Sequence, residues 1–259
     1  MLTLIAESKT MTACDTVVGP ESQAAHRPLF EAEASKIMQS LAGLSAAELS
    51  RELRLSGSLA ARLRSMIYEF PDKSRSVAAI EAFTGVVFKA LGYAGLSAEA
   101  RGNVRRDVRI VSSAYGWLRP DDIVKAYRLD YTSAAGPDGQ TLSSYWRDAV
   151  TDSLLQELDS RGESDVLDLL PGDAARCIDR RRVAAHGTRL WKADFRKAVA
   201  GGKERTPDAG RLKRLRGLLL RHIACEDIRR PDALLGLETE WYACRQQPDG
   251  YNLVFDTAE

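Results

Sequence analysis

The chain has 259 residues, 44% apolar and 28% charged, a composition that excludes a mostly disordered polymer and is enough to bury a sizeable core. Lys and Arg number 37 against 36 Asp and Glu, so the net charge of +1 names no partner. Cys14, Cys177, Cys225 and Cys244 are too scattered for a disulfide scaffold or a CxxC zinc site, and no apolar run approaches the ~18 residues of a membrane span. MLTLIAESK has neither the basic start nor the long apolar stretch of a signal peptide, so the expectation is a soluble cytoplasmic protein with reduced thiols and no membrane association.

In chain order, MLTLIA predicts a short buried strand, followed by a loop over 17–28 and a helix from Leu29 to Leu41. Ser45-Ala-Ala-Glu48 is a capping box that starts a second helix, stopping near Arg54. Leu55-Ser56-Gly57-Ser58 makes a tight turn into a third helix, Leu59 to Phe70. Such a hairpin can turn backbone N–H groups toward a phosphate, as in a helix-hairpin-helix DNA contact, or can simply pack. Ala79 to Leu91 reads as one largely buried element, and Ala98 to Ser113 as a helix with Val104, Val108 and Val111 on one face. After the turn residues 133–139 come an amphipathic helix from Tyr145 to Leu158 and short strands at Val166–Leu170 and Thr188–Phe195. A polar loop over Gly201–Gly210, a basic helix from Arg211 to Cys225 and a last strand from Tyr251 to Asp256 complete the chain. These elements predict a single mixed α/β domain over 1–259, rich in helix, with scattered strands forming a central sheet.

The balanced charge total hides an uneven distribution. Between Arg176 and Arg230 there are 17 Lys and Arg against 6 Asp and Glu, leaving an acidic excess elsewhere. Such asymmetry suits a phosphate-bearing partner, or a solvated face paired with acidic segments. Walker, Rossmann, zinc-protease and GxSxG motifs are absent, and His26, His186 and His222 lie too far apart to suggest a metal set, so neither metal nor cofactor is implied. Cys14 lies near Lys9, which would lower its pKa, although a buried inert thiol is the alternative. On the helix from Arg211, Leu212, Leu215 and Leu219 form the core stripe, while Lys213, Gly217 and Arg221 line another with Arg216 beside it. Gly217 between cations suggests a gap that a ligand enters, or close packing against another helix.

LTLIAESKTM, FTGVVFKAL, VRIVSSAYGWLRPDDIVKAYRLDY, SYWRDAVTDSL and the KxxRGxxxR helix, in this order from Met1 to Val254, resemble the YaaA family of bacterial peroxide-stress proteins. Its YGxLRPxDxxxxYRL signature is present as Tyr115 to Leu129. The resemblance implies one α/β domain with a helix-hairpin-helix element, a positively charged cleft, DNA binding and a part in limiting free iron during peroxide stress. Residue by residue it carries over Lys9, Ser112, Arg119, Tyr127, Arg128, Lys213 and Arg216 as candidate catalytic groups. Gly217 and Arg221 complete the C-terminal helix motif, and Trp146 and Thr151 match the middle helix. The phosphate-binding expectation adds Ser56, Gly57, Ser58, Arg216, Gly217 and Arg221. Two segments depart from the family pattern: Asp168-Leu-Leu-Pro-Gly-Asp173 replaces small polar groups, and Glu204 to Gly210 lacks the usual apolar approach strand.

Two readings follow. In the first, the protein binds DNA or nucleotide phosphates through a basic cleft, in a peroxide-stress setting. In the second, it is an enzyme acting on a small nucleotide or nucleobase in a pocket lined by Lys9, Arg119, Arg128, Lys213 and Arg216, with Asp173 or a desolvated Lys213 as acid or base.

Overall fold

The opening apolar run forms the strand around which the sheet is built. In the computed structural model, which describes residues 1–12, 26–71, 76–199, 203–246 and 250–257, β1 (Leu2–Ala6) is hydrogen-bonded along both edges. A strand covered on both faces must be apolar along its length, and Leu2, Leu4 and Ile5 are all at most 1% exposed.

The chain continues through α1 (Glu31–Ala42), α2 (Ala46–Glu52), α3 (Gly57–Glu69), β2 (Val77–Ala78), α4 (Ala79–Ala82), α5 (Val86–Leu91) and α6 (Ala98–Asp107). There follow β3 (Val108–Ser112), β4 (Gly116–Leu118), β5 (Ile123–Val124), α7 (Leu142–Arg161), β6 (Asp165–Asp168) and α8 (Arg180–Ala185). The last elements are β7 (Arg189–Val199), β8 (Lys203–Arg205), α9 (Ala209–Cys225), β9 (Tyr242–Gln246) and β10 (Asn252–Thr257). Eight strands form a mixed sheet in the order β4-β3-β1-β6-β7-β10-β9, with β8 paired to β7; β2 and β5 form a separate ribbon. The run from β3 to β10 is parallel, whereas β4, β8 and β9 are antiparallel additions. Among the described residues no helix is long and apolar enough to cross a membrane.

The mixed α/β architecture agrees with the sequence reading, as does the Ser45 capping box, in which Ser45 Oγ accepts from Glu48 N–H and Glu48 accepts from Ser45 N–H. Four local expectations are corrected. The element from Ala98 stops being helical at Asp107, because Val108, Ile110 and Val111 pair beside β1 in the core, where β-branched side chains pack better than in a helix turn. Ala79–Leu91 is two helices broken at Thr84-Gly85. The polar stretch from 201 contains β8, which turns back on β7 by pairing with Lys197–Val199. Finally, β9 went unread: its alternation of buried Tyr242 and Cys244 with less buried Ala243 and Arg245 is too short to stand out from a loop. Cys14 lies outside the described residues.

Gly217 explains how α9 is seated. A Cβ there would fall 2.2 Å from the Val87 carbonyl oxygen and 2.7 Å from Ala90 Cβ, so the gap is filled by α5 and not open to a ligand. Arg221 completes the contact by donating from Nη1 to the Leu91 carbonyl at 2.9 Å, satisfying a free C=O at the end of α5. Both residues read earlier as phosphate contacts thus serve helix packing. Gly217→Ala is expected to destabilise the fold by about 1–3 kcal/mol through overpacking. Gly57→Ala, where nothing lies within 4 Å of the new Cβ, should be neutral or slightly stabilising, as read by chemical denaturation.

Candidate active site

The strand order reverses at β1: β3 lies on one side and β6, later in the chain, on the other. At such a reversal the connections leave in opposite directions and open a crevice outside the carboxyl ends of the strands. Here the crevice has a volume of about 350 Å³, lined by Glu7–Thr10 after β1, Leu169, Pro171 and Asp173 after β6, Phe88 of α5, and Lys213 and Arg216 of α9. This is the size of a small-ligand pocket.

Glu7 is the central group. Its carboxylate accepts from Ser113 N–H at 3.0 Å, from Ser113 Oγ and from the Tyr127 hydroxyl. Tyr127 is in turn 2.7 Å from Ser112 Oγ, which accepts from Tyr115 N–H at 3.0 Å and Ala114 N–H at 3.2 Å. Burial pushes the Glu7 carboxyl up to about 7, against the hydrogen bonds from Ser113 and Tyr127 that pull it down. Burial, with Glu7 beside it, holds the Tyr127 phenol well above its usual range, so it stays protonated and donates. A carboxyl divided between its two protonation states near neutrality, on the wall of a crevice, is equipped to give or take a proton.

The cations around the crevice are less uniform than the sequence implied. Lys9 is ion-paired to Asp130, and its carbonyl accepts from Arg128 Nη1 at 2.7 Å, which fixes the loop after β1. Lys213 is exposed at the rim and so is not desolvated. Arg216 is partly buried; burial lowers its pKa, opposed by the charges of Asp168 and Asp173. Its Nη2 makes a long 3.5 Å contact to the Leu170 carbonyl, and its Nε has no partner among the described residues. With Glu7 and Asp173 opposite these groups, the crevice is mixed in charge. Elsewhere part of the basic stretch from 176 is paired with neighbouring carboxylates: Arg180 with Asp168, Arg182 with Asp152, Arg189 with Asp165, Arg196 with Asp194 and Arg229 with Asp227.

The expected residues therefore divide. Lys9, Tyr127, Arg128, Lys213 and Arg216 gather in or directly behind the crevice, and Ser112, fully buried, stands behind Tyr127. Arg119 does not join them: β4 runs antiparallel to β3 and carries the chain back toward the amino end of β3, into a second cleft of about 420 Å³. Ser56, Gly57 and Ser58 are exposed at the start of α3, which packs on α1 and α2 away from the crevice. Trp146 and Thr151 are structural: Trp146 Nε1 donates to the Ser113 carbonyl at 2.8 Å, and Thr151 Oγ1 to the Arg147 carbonyl at 2.6 Å. Glu7 was missed because an acidic residue after a strand is commonplace; its position directly after the first apolar run of an α/β chain was the available signal.

An open α/β sheet with a hydrogen-bonded carboxyl in the crevice at its reversal of strand order is the class these features define. The chain belongs to the YaaA family, whose sequence profile, described as Peroxide stress protein YaaA, matches residues 1–248. It is similar to UPF0246 proteins of Bacteroides thetaiotaomicron (32% identical over 259 residues, 98% of each chain) and Parabacteroides distasonis (29% over 258 residues, 98% of this chain and 99% of the relative). A UPF0246 protein of Laribacter hongkongensis is 28% identical over 241 residues, covering 91% of this chain and 92% of its own.

The raised pKa of Glu7 has a thermodynamic consequence. The folded protein holds a proton between pH 4.5 and about 7 that the unfolded chain releases, so this group favours the fold at low pH and the gain is lost as pH rises through 7. Glu7→Gln should flatten the fall in stability from pH 5 to pH 8 by up to about 3 kcal/mol. Tyr127→Phe removes a hydrogen bond to the ionised carboxylate, so the Glu7 titration, followed by carbon NMR, should move above its native midpoint.

Proposed function

We propose that the crevice binds and transforms a small molecule with a largely apolar, planar body and an anionic substituent, of the nucleotide or phosphorylated-nucleobase class. The observation that carries this reading is the Glu7 carboxyl, held by Ser113 and Tyr127 at the carboxyl end of the central strand and facing the crevice. Glu7 acts as general acid or base, with Tyr127 and Ser112 as positioning residues that keep its carboxylate oriented. Phe88 and Tyr131 provide ring surface for a planar body. Arg216, whose Nε has no partner among the described residues, and Lys213 receive the anion. We extend to this chain the peroxide-stress setting of the family's name and a cytoplasmic location.

A second reading, nucleic-acid binding, has its own supporting observation. Ser56 makes no side-chain cap bond at the start of the 13-residue α3, so the exposed first-turn N–H groups can receive a backbone phosphate. Arg54, Arg62 and Arg64 are exposed on the same helical hairpin.

Thermal-shift measurements with nucleobases, mononucleotides and duplex DNA at low and high salt separate the two. Stabilisation by a mononucleotide that survives high salt, weakened about tenfold or more by Lys213→Ala or Arg216→Ala, is the expected result. Stabilisation by duplex DNA alone, lost at high salt and abolished by Gly57→Glu, would overturn the crevice reading in favour of nucleic acid.

A further inference from the structure

Of the charged residues in the Tyr115–Leu129 segment, Arg119 and Asp122 line the second cleft. That cleft, about 420 Å³ in volume, is walled by Trp117 and Leu29 and by Ser153 and Gln156 of α7. Asp122 is only 4% exposed, and one of its carboxylate oxygens accepts from Arg119 N–H at 2.7 Å. Burial lifts its carboxyl to about 6, which leaves it mostly ionised at neutral pH. The charges of Arg119, His26 and Arg109 favour its ionised form through space, but among the described residues none of them makes an ion-pair contact with it.

Arg119 presents the opposite case. Its guanidinium is exposed at the cleft and has no ion-paired carboxylate among the described residues. The neighbouring charges act on these two groups through space and not by contact. Glu157 is occupied by Arg109 and Arg161, and Arg27 stands 4.0 Å from Glu31. His26 is held by its backbone, its N–H donating to the Asp121 carbonyl and its carbonyl accepting from Ile123 N–H.

An anion entering this cleft would gain Arg119 but meet the Asp122 carboxylate, and a cation would gain Asp122 but meet Arg119. A molecule carrying both charges satisfies both groups. We infer that the second cleft binds a small zwitterion of the amino-acid class, its ammonium group received by Asp122 and its carboxylate by Arg119. Trp117 and Leu29 then offer an apolar surface to the side chain of the ligand. The site is separate from the Glu7 crevice and stands or falls independently of the function proposed there.

Titration calorimetry of the full chain with the twenty amino acids, and with acetate and methylamine as half-ligands, tests the assignment. At least one amino acid should bind about tenfold or more tightly than either half-ligand, and Asp122→Asn and Arg119→Ala should each weaken it by a similar factor. Arg119 is exposed, so its substitution tests the site even if the Asp122 variant folds poorly. No binding by any amino acid, binding undiminished in Arg119→Ala, or acetate binding as tightly as the best amino acid would overturn the proposal.

Discussion

The parallel pairing of β1 with β3 on one edge and β6 on the other is the constraint from which the rest of the structure follows. Leu2, Leu4 and Ile5 can be buried on both faces only if neighbouring strands and helices cover them, so the later strands are recruited to either side of the first. Once the strand order reverses at β1, the segments leaving the carboxyl ends of β1 and β6 cannot close over each other. The residues that follow those strands, Glu7 to Thr10 and Leu169 to Asp173, become the walls of one crevice.

The surrounding elements adjust that crevice. Gly217 lets α9 approach α5 closely enough for Lys213 and Arg216 to reach its rim, and a larger residue would push the helix away from the Val87 carbonyl. At the start of α5, Gly85 gives room to Ser8: a Cβ there would lie 2.2 Å from Ser8 Oγ. The Lys9–Asp130 pair and the bond from Arg128 to the Lys9 carbonyl tie the loop after β1 to the segment carrying Tyr127. That segment also closes on Glu7, so the carboxyl is oriented by groups from two separate stretches of chain, Ser113 and Tyr127. The arrangement is a polar network inside an apolar frame, where each hydrogen bond counts for more than it would in water.

Charge is managed locally in most of this protein. Part of the basic excess from Arg176 to Arg230 is compensated locally, since Arg180, Arg196, Arg229 and Arg230 each lie within reach of a carboxylate two residues away or on a neighbouring element. Exposed pairs of this kind contribute little to stability, but they weaken the long-range field that a charge count suggests. Arg119, Lys213 and Arg216 are among the cations without an ion-paired carboxylate among the described residues, and each of them lines a cleft.

The amino-acid sequence by itself determined the first strand, the Ser45 cap, the long helices and the α/β class, because apolar periodicity and capping chemistry act over a few residues. Its motifs also selected Lys9, Tyr127, Arg128, Lys213 and Arg216, which the fold gathers about one crevice. It was silent on Glu7, whose burial and partners come from residues more than a hundred positions away, Ser113 and Tyr127. It also misjudged Gly217, since nothing local distinguishes a gap for a ligand from a gap for a helix. Only the tertiary structure decided that Arg119 lies apart from Lys9, because the direction in which β4 runs beside β3 is set by strand pairing and not by the spacing of the residues.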